Sequence, residues 1–169
     1  MANSDKGSSL YQYSPLLSET SIRLLELRPR EGNDSLECAL HETELENAPK
    51  YEAISYVWGD PANRVNILCD GKTIGITQNL YDVLLRLRFE DRSRIVWADA
   101  ICINQNDNAE KGSQVKEMKK VYANATRVCI WLGRTTVEME PAFSLISDMI
   151  RCADPTRNRT SSHLSGTEL

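Results

Sequence analysis

The chain has no apolar run approaching the roughly 20 residues that a membrane-crossing helix needs. Its opening, MANSDKGSSLYQYSP, carries no apolar h-region, so a secretory signal is not expected there. Basic charge is in short supply: 20 Lys and Arg stand against 24 Asp and Glu, for a net charge of −4. Without a dominant basic stripe, nucleic acid is not an expected partner. Lys116, Lys119 and Lys120 read as the wet face of a helix. The P-loop, the G-x-G-x-x-G turn and the G-x-S-x-G elbow are all missing, which removes the commonest phosphate, dinucleotide and acyl-transfer sites. Histidine is scarce. His41 and His163 lie outside the apolar core pattern, so a thiol such as Cys102 has no evident base. Cys38 and His41 are three apart, but no second pair completes a zinc site, and no metal or cofactor is expected. The five cysteines are scattered, and Cys69 and Cys129 sit inside apolar runs as small hydrophobes. That usage predicts a reducing compartment without disulfides.

What is present fits one globular domain. The chain is 169 residues long, 41% hydrophobic and 26% charged. Residues 1–20 are polar and read as a partly disordered segment, 21–153 as the domain, and 154–169 as a polar tail. SIRLLELRP (21–29) and LECALHETEL (36–45) read as an N-terminal hairpin. YEAISYVWGD (51–60) is an apolar strand stopped by Gly59-Asp60-Pro61. Asp70-Gly71 inside VNILCDGKTIGIT marks an inserted hairpin. Thr77 is a credible cap for a helix to about Arg88, with Leu80, Val83, Leu84 and Leu87 as its apolar stripe. RIVWAD is the next strand. A polar loop and a helix from about Ala109 to Ala125 follow. Asp107 and Glu110 have capping-box spacing, and Val115, Met118, Tyr122 and Ala125 are its expected buried face. RVCIWLG (127–133) is the last strand, and Pro141 opens a last helix.

Strand and helix alternate from Tyr51 onward, and the three main strands look apolar on both faces. The expected fold class is therefore α/β: a small parallel sheet flanked by helices, with the N-terminal hairpin and the Asp-Gly hairpin as additions. In such sheets ligands bind beyond the carboxyl ends of the strands. There the sequence delivers Trp58, Gly59 and Asp60, then Asp99, Asn104 and Gln105, then Glu138 and Glu140. Each has a plain structural role on offer. Asp60 before Pro61 forms turns, Asn104 and Gln105 serve loops, and the two glutamates precede a helix. Trp58, Trp97 and Trp131 read as core. The convergence of acid, amide and aromatic groups on one edge is what makes a ligand site worth expecting.

YEAISYVWGD, WADAICINQ and QVKEMKKVYANATRVCIWLG closely resemble the three blocks of the fungal heterokaryon-incompatibility (HET) domain, and YQYSPL and IRLLELRP resemble its lead-in. The resemblance covers about residues 11–133. It implies a cytoplasmic fungal protein of non-self recognition, akin to innate immunity, that triggers programmed cell death by assembly. Its partners would be other HET or sensor proteins, with self-association. HET domains have been likened to TIR domains, which implies a TIR-like, flavodoxin-like core. Some TIR domains cleave NAD, so NAD becomes a possible substrate and Glu138 or Glu140 the implied catalytic acid. The Trp-x-x-x-Glu spacing of that comparison is not clear here. A third reading, suggested by the short length, is a regulatory or decoy protein.

Overall fold

The computed structural model describes residues 9–29 and 35–134. The elements below belong to one compact unit, Met1–Gly133. The expected helix at Pro141 and the polar tail lie outside the described residues.

Strand β1 (Ser21–Leu27) pairs antiparallel with β2 (Glu37–Glu44), in register from Ser21 opposite Glu44 to Leu27 opposite Cys38. After a single 3₁₀ turn comes β3 (Glu52–Tyr56). Strands β4 (Arg64–Cys69) and β5 (Lys72–Thr77) form the hairpin expected at Asp70-Gly71. Both turn residues have positive φ, 52° and 71°, as a tight primed turn requires. Helix α1 (Gln78–Leu87) starts at once, because the Thr77 hydroxyl accepts the Leu80 N–H and caps it. Strand β6 (Arg94–Trp97), the one-turn helix α2 (Asp99–Cys102), helix α3 (Asn108–Asn124) and strand β7 (Arg127–Trp131) complete the order.

The strands make one sheet in the order β5-β4-β2-β1-β6-β3-β7. β6, β3 and β7 are mutually parallel and are the expected βαβ core. The fold is broader than a small parallel sheet with additions. Both hairpins extend the same mixed, seven-stranded sheet: β1 lies antiparallel on β6, and β2 runs parallel to β4. The physical reason is edge protection. An unpaired β6 edge would leave a row of backbone donors and acceptors open, and β1 closes it. Trp97, Ile54, Leu25, Leu80, Leu84 and Ile101 lie at the centre of the core.

Three expectations need correction. On α3, Val115 is 59% exposed, whereas Gln114 and Val121 are buried. Met118, Tyr122 and Ala125 do pack against the core. The cause is polar: the Gln114 side-chain N–H donates to the Ser21 carbonyl at 2.8 Å, and this satisfied amide takes the inward place. On β7, Val128, Ile130 and Leu132 are exposed (43%, 69% and 65%), so one side of this strand is uncovered by the described residues. Of the three tryptophans only Trp97 is fully core; Trp131 is half-buried and Trp58 exposed.

Candidate functional site

Parallel pairing brings the carboxyl ends of β3, β6 and β7 to one edge of the sheet. Trp58 leaves β3 there, and Asp99 leaves β6. They meet: the Trp58 indole N–H donates to both carboxylate oxygens of Asp99, at 3.0 and 3.1 Å. The Ala100 backbone N–H adds a bond of 2.8 Å to the same carboxylate. Burial pushes the Asp99 carboxyl above its ordinary range, and the bonds from Trp58 and Ala100, with the Tyr56 hydroxyl close by, only partly hold it down. The Tyr56 hydroxyl is buried beside this carboxylate and closes no hydrogen bond of normal geometry among the described residues. Burial, with the Asp99 charge, drives the Tyr56 phenol well up, and the same two causes raise Tyr122. The indole of Trp58 remains 42% exposed, so a planar ligand could stack on it while bonding to the acid.

The stretch RIVWADAICINQND follows from this geometry. Ile101, Cys102 and Ile103 are buried and plug α2 and the following turn into the core. The polar residues that follow them organise the loop. The Gln105 side-chain N–H donates to the Asp99 carbonyl at 2.8 Å. Asn104 accepts from the Asn106 N–H at 3.2 Å. Asp107 accepts from the Ala109 and Glu110 N–H groups and caps α3. Glu110 does not complete a capping box. Its carboxylate turns to Arg23 in a bidentate pair of 2.6 and 2.9 Å and accepts the Asn104 N–H at 2.7 Å. Both partners are nearly enclosed, with side chains 5% and 7% exposed. Arg23 also donates to the carbonyls of Cys102 and Ser14, and the Tyr13 hydroxyl donates to the Ile101 carbonyl at 2.8 Å. The N-terminal segment thus straps α2 in place beneath Asp99.

The other expected site residues are positioned differently. Gly59 takes φ +77°, and a Cβ there would sit 2.9 Å from the Asn79 amide nitrogen. That amide donates to the Val57 carbonyl at 3.0 Å, so α1 holds the turn that carries Trp58. Asp60 uses its carboxylate on its own turn, accepting the Ala62 N–H at 2.8 Å. Trp58, Asp99 and Gln105 are therefore joined, Gly59 shapes the turn, and Asn104 and Asp60 serve their loops. Glu138 and Glu140 lie outside the described residues. Sequence reasoning missed Tyr56, Asn79 and Tyr122. Tyr56 was within reach, since it shares a strand face with Trp58 two residues on. Tyr122 was expected on the inward face of its helix, but its place near Asp99, like that of Asn79 on the turn after β3, depends on packing between distant elements. No group of three or more His, Cys, Asp or Glu among the described residues is arranged to hold a metal ion.

The opposite edge of the same strands is built as a clamp. Glu52 pairs with Arg94 at 2.6 Å and with Arg127 at 2.8 and 3.1 Å, and the Cys129 thiol lies 3.2 Å from it. Partial burial pushes its carboxyl up, but bonds from Arg127 and Arg94 outweigh that and bring it down to about 2. At the amino edge the Glu52 carboxylate is paired with two arginines, whereas the acid at the carboxyl edge is held raised beside an exposed aromatic.

The fold and this edge define a mixed α/β domain with a candidate ligand edge at its parallel strand ends. The profile of the family "Heterokaryon incompatibility protein (HET)" matches residues 51–166. The chain belongs to this family. It is 38% identical over 158 residues to "Heterokaryon incompatibility protein 6, OR allele" of Neurospora crassa; the match covers 79% of this chain and 23% of that protein. The chain thus spans about a quarter of the length of the curated relative it matches. No solved structure matches it.

Proposed function

We propose that this chain is a cell-death effector module of fungal heterokaryon incompatibility, acting in the cytoplasm by assembly, with the Trp58–Asp99 edge as its working site. The observation that carries the reading is the bond between Trp58 and Asp99. It joins the ends of two of the sequence blocks by which the chain resembles its family. Support for assembly comes from β7, which ends the sheet among the described residues and exposes Val128, Ile130 and Leu132. An edge strand with open backbone groups and apolar side chains suits pairing with another copy or a related HET or sensor protein.

The test is expression in fungal cells, with Ile130→Lys and Leu132→Lys as probes of assembly. The expected outcome is a parallel loss of self-association, read by light scattering, and of cell killing. Variants that stay monomeric and still kill like the parent would overturn assembly as the mechanism.

A second reading is favoured by the raised carboxyl of Asp99 beside an exposed indole. It is TIR-like cleavage of NAD. A carboxylate near the ribose stabilises the oxocarbenium-like charge that forms as nicotinamide leaves, and Trp58 stacks on a ring of the ligand. Glu138 and Glu140 are further candidate acids for this step. The concentrated chain should then consume NAD, and Asp99→Asn, Glu138→Gln or Glu140→Gln should slow it. Unchanged NAD in cells that nevertheless die removes the hydrolase reading and leaves the effector reading standing.

A further inference from the structure

The β4–β5 hairpin meets the rest of the sheet through a short parallel ladder of two residue pairs, Glu37 opposite Leu68 and Cys38 opposite Cys69. Bonds from Leu68 N–H to the Leu36 carbonyl (3.2 Å) and from Asp70 N–H to the Cys38 carbonyl (3.0 Å) flank it. The second pair sets two cysteines directly across neighbouring strands. Both are free thiols, and they are 2% and 0% exposed. The Cys38 thiol donates to the Leu68 carbonyl at 3.5 Å and lies within hydrogen-bonding reach of Cys69. Neighbouring strands run about 4.8 Å apart. A disulfide accepts Cα separations of roughly 4.4–6.8 Å, so the ladder already holds these residues at bridging distance.

We propose that Cys38 and Cys69 form an oxidisable pair, closing to a disulfide under hydrogen peroxide and stapling the β4–β5 hairpin to β2. In the first step one sulfur, having lost its proton, attacks a peroxide oxygen. The O–O bond breaks, the sulfur becomes a sulfenic acid, and the displaced hydroxide leaves as water with the thiol proton. The second sulfur then attacks the sulfenic sulfur. The S–O bond breaks, and a second water leaves with the second proton. Two thiols lose two electrons in all, and one peroxide is reduced to two waters. The neighbouring Cys69 thiol and burial keep Cys38 protonated, so the pair reacts through local opening of the short ladder. The consequence reaches the candidate site. β5 runs directly into α1, whose Asn79 holds the turn bearing Trp58. The staple itself does not depend on the Trp58–Asp99 reading, and its test leaves that reading untouched.

The experiment takes the full chain, reduced, exposes it to hydrogen peroxide, alkylates the remaining thiols and maps the peptides by mass spectrometry. The expected product is a peptide cross-linked between Cys38 and Cys69, lost on reduction and absent in Cys38→Ser. Amide exchange in β4 and β5 should slow about tenfold or more in the oxidised chain, because opening of the hairpin is then tethered. Because the mapping is done on the unaltered sequence, it stands even if Cys38→Ser folds poorly. Cys38 and Cys69 recovered only as singly alkylated or sulfinic residues would overturn the proposal. So would disulfides joining only other cysteines, or unchanged exchange in the cross-linked chain.

Discussion

At the scale of the residue, Asp99 is the most informative side chain. Its raised carboxyl results mainly from burial, opposed by donors that favour the charge. Ionisation therefore costs the fold something at neutral pH, and that cost is relieved as pH falls through the raised folded value. Carbon NMR titration should place Asp99 above the ordinary aspartate value of about 3.9. Trp58→Phe, which deletes the indole donor, should move it higher still. A titration below the ordinary value would mean that the Trp58 and Ala100 bonds outweigh burial. Asp99 and Trp58 were legible in the sequence because each follows an apolar strand whose end can be located. The roles of their neighbours were less so. Glu110 has the spacing of a cap and instead neutralises Arg23, a partner 87 residues away.

At the scale of the element, α3 shows why apolar periodicity places a helix but can misjudge its rotation. Its start and end were readable from Asp107 and from Ala125 before the strand. Its inward face was not, because Gln114 counts as polar in any pattern while being buried against the Ser21 carbonyl. Val115→Lys should therefore change stability by no more than about 0.5 kcal/mol in urea unfolding, as expected for an exposed position. Arg23→Met should be costly. It strands the enclosed Glu110 carboxylate without its partner, and breaking such a pair costs about 3–5 kcal/mol. A mild effect of Arg23→Met would show that water or another donor readily replaces the guanidinium, and that the strap over α2 is weaker than its geometry suggests.

At the scale of the whole molecule, the parallel pairing of β3, β6 and β7 could be anticipated, since apolar runs separated by helices favour a parallel sheet, but their order in it could not. The way the two hairpins join the sheet could not. Contact of β1 with β6 and of β2 with β4 depends on edges that no local pattern marks. The Glu52 clamp was equally invisible, because it gathers the starts of three strands. Its depressed carboxyl contributes stability that is present above the ordinary carboxylate range and lost as pH falls from about 4.5 toward 2. Glu52→Gln should flatten acid unfolding in that window, measured by circular dichroism. The central claim, that the carboxyl edge at Trp58 and Asp99 is where this domain works, is tested most directly by Asp99→Asn in a fungal cell-killing assay. That change keeps the size of the side chain and an oxygen for the indole bond while removing the charge. The variant should melt like the parent and no longer kill; a folded Asp99→Asn chain that kills at the parent's rate would contradict this role for the edge.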